Sequence, residues 1–153
     1  RPDDTAGTLS DRLSATGAEL LIRTLDAMWD GAVSPVEQND SLSTYTKKIQ
    51  KEDGRVDWSQ RATTVERRVR AMTPWPSAYT FCGNARMIIV EAALGALDAG
   101  GADPGTVVST DPLLVACGEG TLEIRRLKPA GKKAMTPGAF LAGHAWDPRE
   151  RFG

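Results

Sequence analysis

The chain has 153 residues, of which 41% are hydrophobic and 25% charged, as in an ordinary globular domain with room for a further fragment. No apolar run approaches the roughly 20 residues that cross a bilayer, and no signal-peptide pattern opens the sequence. We therefore expect a cytoplasmic protein without a membrane partner. The two cysteines, Cys82 and Cys117, lack metal-ligand or redox spacing and predict buried thiols.

The net charge of -1 conceals an asymmetry along the chain. Residues 1–45 carry three Lys or Arg against eight Asp or Glu, whereas residues 46–153 carry sixteen against twelve. A basic part with clustered Lys and Arg suits a polyanionic partner, and an ordinary solvated surface is the alternative on charge alone. The two parts are predicted to have different partners.

The N-terminal segment predicts two amphipathic helices. Leu9 and Leu13 have the spacing of one face of a short helix over residues 8–15, and residues 16–19 have the pattern of a capping box that starts a second helix. Gly31 stands where that second helix would end. Two such helices cannot bury their apolar faces alone, so we expect them to dock on an upstream domain, a partner or a neighbouring copy.

The middle of the chain predicts a linker followed by a third helix. Residues 32–50 are largely polar, as in an interdomain linker, with a domain boundary near residue 43. A capping-box pattern at residues 63–66 predicts a helix start, and Val65, Val69 and Met72 form its buried stripe.

From residue 77 onward the hydrophobic period changes from 3.6 to 2. A hairpin is predicted around Gly83 and Asn84, with glycine at the first position of a type II′ turn. The alternation slips at Arg126, which indicates a bulge. Residues 136–142 predict a last short helix, and residues 147–153 a polar tail. The strands are predicted at 77–81, 86–91, 106–109, 113–117 and 120–127. Five short strands after a helix favour a mainly β fold with flanking helices, a small closed or half-closed barrel.

Residues with catalytic chemistry form no recognisable pattern. His144 is the one histidine and has no serine, cysteine or carboxylate arranged around it, so we expect a surface or packing role. No nucleotide-binding fingerprint or metal-ligand spacing occurs in the sequence. Aromatic side chains can stack on bases. We instead expect Trp58 and Trp75 to be packing anchors, and Tyr79 and Phe81 to be core or barrel-wall residues.

Clustered Lys and Arg side chains are the remaining candidates for a functional site. Each phosphate that a Lys or Arg neutralises releases counterions, which gives affinity with little reading of sequence. We expect the fold to bring three basic clusters to one face, and the alternative for each cluster is plain solvation. The candidates are Lys47, Lys48, Lys51 and Arg55, then Arg67, Arg68 and Arg70, and then Arg125, Arg126, Lys128, Lys132 and Lys133.

Four motifs together resemble one family. They are KEDGRVDW at residues 51–58, RAMTPWP at 70–76, AYTF at 78–81 and PAGKKAM at 129–135. These motifs are similar to the linker and C-terminal domain of methionyl-tRNA formyltransferases, and residues 4–9 resemble the end of that family's catalytic domain. The resemblance implies a helical tail of the N-terminal catalytic domain at 1–31, a linker at 32–50 and an OB-type barrel at 51–153.

The resemblance also implies a function for the whole enzyme. It would act in translation initiation as a monomer, transferring a formyl group from 10-formyltetrahydrofolate to the methionyl group on initiator tRNA. The family's catalytic Asn, His and Asp belong to the N-terminal catalytic domain and match nothing here. This chain alone is therefore predicted to be inactive, to bind no cofactor and to grip tRNA.

Two rival interpretations remain open. The same appended domain could serve a sugar-nucleotide formyltransferase or a formyltetrahydrofolate dehydrogenase, although the motifs at residues 74–76 and 129–133 favour the tRNA enzyme. Alternatively, the domain could be a structural module that binds no RNA. The start at Arg1 and Pro2, without methionine, fits a fragment or a processed product.

Overall fold

The computed structural model describes residues 1–144 and 151–153. A long helix, α1 (Ala6–Trp29), precedes a small β domain that carries two shorter helices, α2 (Ala62–Ala71) and α3 (Pro137–Leu141). The strands are β1 (Tyr79–Cys82), β2 (Ala85–Leu94), β3 (Val107–Thr110), β4 (Leu113–Ala116) and β5 (Thr121–Pro129). The expected mainly β fold with flanking helices is confirmed.

The N-terminal segment is one helix, so the two predicted helices and their boundary at residues 16–19 were wrong. Gly17 lies inside α1 with open space around it, and one glycine costs a helix only about 1 kcal/mol relative to alanine. The helix is capped instead by Thr5, whose hydroxyl accepts a hydrogen bond from the Thr8 amide at 3.2 Å. Gly31 ends it as predicted, with φ of +67° and an amide that donates to the Met28 carbonyl at 3.1 Å.

The apolar face of α1 is uncovered. No residue of the helix is buried, and Leu13, Leu21, Leu25 and Met28 are between 55% and 60% exposed. Residues 32–50 that follow are exposed throughout and contain one short 3-10 turn, Asp40–Leu42. Within the described ranges, no helix combines the length and apolarity that crossing a bilayer requires.

Helix α2 begins earlier than its predicted capping box. Its first residue is Ala62, whose amide donates to the carbonyl of Glu119 at 2.9 Å, so a distant backbone group replaces the capping side chain. The buried stripe is confirmed, because Val65 and Val69 are each 2% exposed and Met72 packs against the core.

The five strands form one antiparallel sheet in the order β1, β2, β5, β4, β3. Cys82 faces Ala85 across the first hairpin, and Gly83 has φ of +55°, which confirms the two-residue turn. The predicted strands are present, although β2 continues to Leu94 and β5 to Pro129.

The predicted bulge is also confirmed. The register between β2 and β5 shifts on both sides of the pair formed by Glu91 and Arg126. Two successive residues, Arg125 and Arg126, consequently face solvent before Leu127 returns to the core.

The last residues of the chain connect the two edges of the sheet. The amide of Gly153 donates to the Phe81 carbonyl at 3.0 Å, and the amide of Phe152 donates to the Gly105 carbonyl at 2.9 Å, next to β3. Phe152 is 2% exposed. The predicted polar tail was wrong for residues 151–153, because the edge strands leave backbone groups that this segment satisfies. The rest of that tail, residues 147–150, lies outside the described residues.

Trp58 anchors the core, as predicted. Its ring is 4% exposed and stacks on Phe152 with centroids 5.9 Å apart, and its Nε1 donates to the buried Thr80 hydroxyl at 3.0 Å. Trp75, in contrast, is 55% exposed, so the prediction of a second anchor was wrong. Proline on both sides restricts the backbone at Trp75 without requiring that the ring be buried.

The sequence predictions for the two cysteines and the histidine are confirmed. Cys82 and Cys117 are both buried. His144 has a packing role, since its half-buried ring stacks on Phe140 with centroids 4.9 Å apart.

Candidate nucleic-acid interface

Strand β1 directs two aromatic residues outward. Thr80 is buried beneath Trp58, and because side chains alternate along a strand, Tyr79 and Phe81 lie on the opposite side. Both are half-buried, and their rings meet edge to face with centroids 5.9 Å apart. Of the two predicted positions, core or barrel wall, the structure shows the second, because both residues lie on the outer side of a strand in the wall.

The strand register extends this surface across β2 and β5. Arg86 lies opposite Phe81, Ile88 lies opposite Tyr79, and Lys128 lies opposite Ile88. Directly opposed residues share a face of an antiparallel sheet. We call the side of β1, β2 and β5 that carries these five residues the outer face.

Two arginines cover the aromatic rings of the outer face. The guanidinium carbon of Arg86 is 3.9 Å from the centroid of the Tyr79 ring, and that of Arg55 is 5.8 Å from the centroid of Phe81. Each cation–π contact at an exposed site contributes about 0.5–1 kcal/mol. We call Arg55, Tyr79, Phe81 and Arg86 the aromatic–arginine cluster.

The motif at residues 51–58 positions Arg55 at the edge of β1. A 3-10 turn, Lys51–Gly54, precedes it, and a β-carbon at Gly54 would lie 2.3 Å from the Ser77 carbonyl oxygen. Only glycine allows this close approach. Val56 then donates its amide to the Tyr79 carbonyl at 2.8 Å, which places Arg55 alongside the strand.

The twelve predicted basic residues divide into two groups. Four are bound to acceptors of the same chain: Lys47, Arg68, Arg70 and Arg125. The other eight are exposed and, within the part of the chain that the structure describes, form no ion pair and no side-chain hydrogen bond. They are Lys48, Lys51, Arg55, Arg67, Arg126, Lys128, Lys132 and Lys133.

Asp53 accepts hydrogen bonds from two of the four bound cations. Lys47 Nζ donates to its carboxylate at 2.8 Å, and Arg68 Nη1 donates to its carbonyl at 2.8 Å. The hydrogen bond from Lys47, together with one from the Gln50 amide, lowers the pKa of Asp53 below its ordinary value. These contacts hold the turn that leads to Arg55.

Arg70 connects α2 to the start of α1. Its Nε and Nη2 donate to the two carboxylate oxygens of Glu66 at 2.6 and 3.0 Å, and its Nη1 donates to the Asp4 carbonyl at 3.0 Å. The bidentate contact with Glu66 raises the pKa of Arg70. Nearby, Gly7 donates its amide to the Thr73 carbonyl at 3.1 Å. Arg70 therefore tethers the N-terminal helix to the β domain.

The structure brings parts of the first and last basic clusters to one face and leaves Arg67 of the second cluster on another. Arg55 and Lys128 border the same outer face, and the turn with Lys132 and Lys133 follows Ala130, whose amide donates to the Arg86 carbonyl at 3.1 Å. Helix α2 packs on the inner face of β2 and β5, so Arg67 lies on a different surface, beside the start of α1.

Arg86 was missing from the sequence candidates although it occupies the centre of the outer face. The signal was available in the hairpin, since a two-residue turn at Gly83 and Asn84 determines which residues face each other. Pairing Phe81 with Arg86 follows directly from that turn. Charge clustering could not identify Arg86, because it lies outside every basic run of the sequence.

Fold and surface together define a class: a small module built on an antiparallel half-barrel sheet, with a basic and aromatic outer face. Comparison with known families then identifies the chain. Residues 48–145 match the model of the family described as "Formyl transferase, C-terminal domain", and the chain belongs to that family.

The similar proteins are methionyl-tRNA formyltransferases, which are enzymes. The chain is 40% identical over 145 residues to the protein from Trichlorobacter lovleyi, covering 94% of this chain and 45% of the relative. It is 42% identical over 146 residues to that of Chloroflexus aurantiacus, covering 93% and 46%. The chain thus spans about half the length of the curated relatives it matches and corresponds to their C-terminal part.

Solved structures support the fold alone. A variant of HypX from Aquifex aeolicus superposes with a TM-score of 0.65 at 20% identity, over 92% of this chain and 26% of that protein. A structure of HypX in complex with tetrahydrofolic acid gives 0.59 at 21% identity, over 80% and 22%.

Proposed function

We propose that this chain is the tRNA-gripping part of a methionyl-tRNA formyltransferase acting in the cytoplasm. The whole enzyme would transfer a formyl group from 10-formyltetrahydrofolate to methionyl-initiator tRNA. One observation carries the proposal. Cations without acceptors in the described chain, Arg55 and Lys128, border one face of the sheet, next to the turn with Lys132 and Lys133. Such a surface binds phosphates with little dependence on base identity.

The exposed helix α1 supports a division of the chain between two domains. Residues 1–31 would be the tail of the N-terminal catalytic domain, residues 32–50 the linker and residues 51–153 the OB-type domain. The relatives are about twice as long, which leaves an upstream region to cover Leu21 and Leu25. A surface of this kind, continuous and apolar, favours burial against another domain of the same monomer.

Salt-dependent tRNA binding tests the proposal. The purified chain should bind tRNA at about 50 mM salt and lose affinity steeply toward about 200 mM. Replacing Lys132 and Lys133 by alanine should reduce the slope of log affinity against log salt by about 1.5, since each phosphate contact contributes roughly 0.7–0.9. A control with Arg23→Ala and Arg61→Ala removes the same charge from exposed residues that are paired with Glu19 and Glu119.

The outcomes separate the rival functions. Absence of binding at low salt would indicate a structural module with a solvated basic surface. Competition by a sugar nucleotide, rather than by tRNA, would indicate the appended domain of a sugar-nucleotide formyltransferase. Binding that the two lysine substitutions leave unchanged would remove their loop from the interface.

A second assay tests whether the chain is inactive by itself. The catalytic residues of the whole enzyme would belong to the upstream domain, so incubation of this chain with 10-formyltetrahydrofolate and methionyl-initiator tRNA should yield no formylmethionyl-tRNA. Formation of that product by the chain alone would refute this part of the proposal.

A further inference from the structure

The aromatic–arginine cluster differs from the other unpaired basic residues in that its cations lie over aromatic rings. The guanidinium group of Arg86 lies over the ring of Tyr79, with its carbon 3.9 Å from the ring centroid. Stacking uses the flat face of a guanidinium and leaves its N–H groups, which point outward in its plane, available to an acceptor. The lysines of the neighbouring turn have no comparable support.

No acceptor within the described chain uses those N–H groups. Arg70, Arg125 and Arg61 each donate to a carboxylate, at 2.6, 3.2 and 2.8 Å respectively. Arg86 and Arg55 have no carboxylate partner and no side-chain hydrogen bond in residues 1–144 and 151–153. Two oriented guanidinium groups therefore face solvent on one pair of touching rings.

We propose that Arg86, stacked on Tyr79, and Arg55, beside Phe81, form a preorganised subsite for the phosphate groups of an RNA backbone. This inference rests on the proposed tRNA-binding function and names the subsite that orients the RNA on the outer face. A guanidinium binds a phosphate through two parallel hydrogen bonds, and stacking lowers the conformational entropy that binding would otherwise cost.

The geometry favours phosphate over a stacked base. Arg86 covers the ring face of Tyr79 that a base would need, and the rings of Tyr79 and Phe81 contact each other edge to face. The strand row continues to Lys128, a further cation, which matches a uniformly charged backbone. The subsite should consequently bind RNA without preference among bases.

A double-mutant cycle on the full chain tests the subsite, with tRNA as the probe. Arg86→Ala should weaken binding about tenfold and lower the salt slope by roughly 0.7–0.9, the contribution of one phosphate contact. Arg86→Lys should keep the slope and lose several-fold in affinity, since lysine neither stacks in the same way nor donates in parallel. Tyr79→Leu should weaken binding when Arg86 is present and have no effect beside Arg86→Ala.

Arg61→Ala is the matched control, because it removes one exposed cation that Glu119 already pairs. Thermal melts of each variant separate loss of folding from loss of binding. If Tyr79→Leu fails to fold, Arg86→Lys, which retains the charge, still tests the stacking. If the unmodified chain binds tRNA but Arg86→Ala behaves as Arg61→Ala does, the subsite is refuted while the proposed function stands.

Additive effects of Tyr79→Leu and Arg86→Ala would refute the stacking. A base preference among homopolymer RNAs that Tyr79→Leu abolishes would replace phosphate contact by base stacking.

Discussion

Replacing Phe152 by alanine tests whether the end of the chain closes the barrel. The side chain is 2% exposed, so nearly all of its surface is removed from water on folding. A buried aromatic side chain covers about 150–200 Å², which at about 25 cal/mol per Å² corresponds to roughly 4–5 kcal/mol. Residual compactness of the unfolded chain lowers this figure somewhat, and we expect a loss of about 3–4 kcal/mol in the free energy of unfolding.

Urea unfolding, followed by circular dichroism and by tryptophan fluorescence, measures the change. The two signals should shift to lower urea together, because Phe152 stacks on Trp58 and both belong to one core. Thermal melts should drop by about 10 °C, at roughly 3 °C per kcal/mol for a chain of this size. Phe140→Ala, at a half-buried position of α3, is the control and should cost less. A loss below about 1 kcal/mol for Phe152→Ala would refute the closure of the sheet edges by residues 151–153.

Three further predictions concern the same domain. Trp58→Phe removes the donor to the buried Thr80 hydroxyl and should lower the free energy of unfolding, measured in urea, by about 1–3 kcal/mol. The same loss in a Thr80→Val background would show that the hydrogen bond is not its cause. Hydrogen bonds from Ser59 lower the pKa of Asp57 in the folded protein. The Asp57 carboxylate therefore stabilises the folded state at pH values above about 4, the pKa of an aspartate in the unfolded chain. This contribution is lost as the pH falls through the lower pKa of the folded state. Asp57→Asn should therefore be less stable than the unmodified chain at pH 7, and melts between about pH 5 and 2 should show the difference narrowing. Burial raises the pKa of Cys117 to about 11, so iodoacetamide at pH 8 should label this thiol only as the protein unfolds. Rapid labelling of the native protein, detected by mass spectrometry, would show instead that the thiol is accessible.

Sequence patterns were reliable where the deciding contacts are local. The turn at Gly83, the bulge at Arg126 and the helix end at Gly31 were all identified, because each depends on backbone preferences within a few residues. The same reasoning failed at residues 16–19, where a capping pattern lies within a continuous helix. A capping box can start a helix, but nothing in it stops a preceding helix from continuing.

The family motifs extended this local reasoning to the domain as a whole. Residues 51–58 contain both Gly54, where the backbone passes close to Ser77, and the buried anchor Trp58. Both are needed where the chain enters the β domain. Membership of the formyltransferase C-terminal family agrees with those motifs. Motifs of this kind are informative because several packing requirements fall within one short stretch.

Only the tertiary structure decided which charges are available. Whether Arg70 is exposed to a ligand or bound depends on Glu66 one turn away and on Asp4 at the far end of the chain. The role of Arg86 depends on the ring of Tyr79 across a hairpin. Charge itself is a property of the sequence, whereas its neutralisation depends on distances between residues that only folding brings together. By itself, the sequence determined the strands, the turns and the family, and the fold determined which of the basic residues remain unpaired within the described chain.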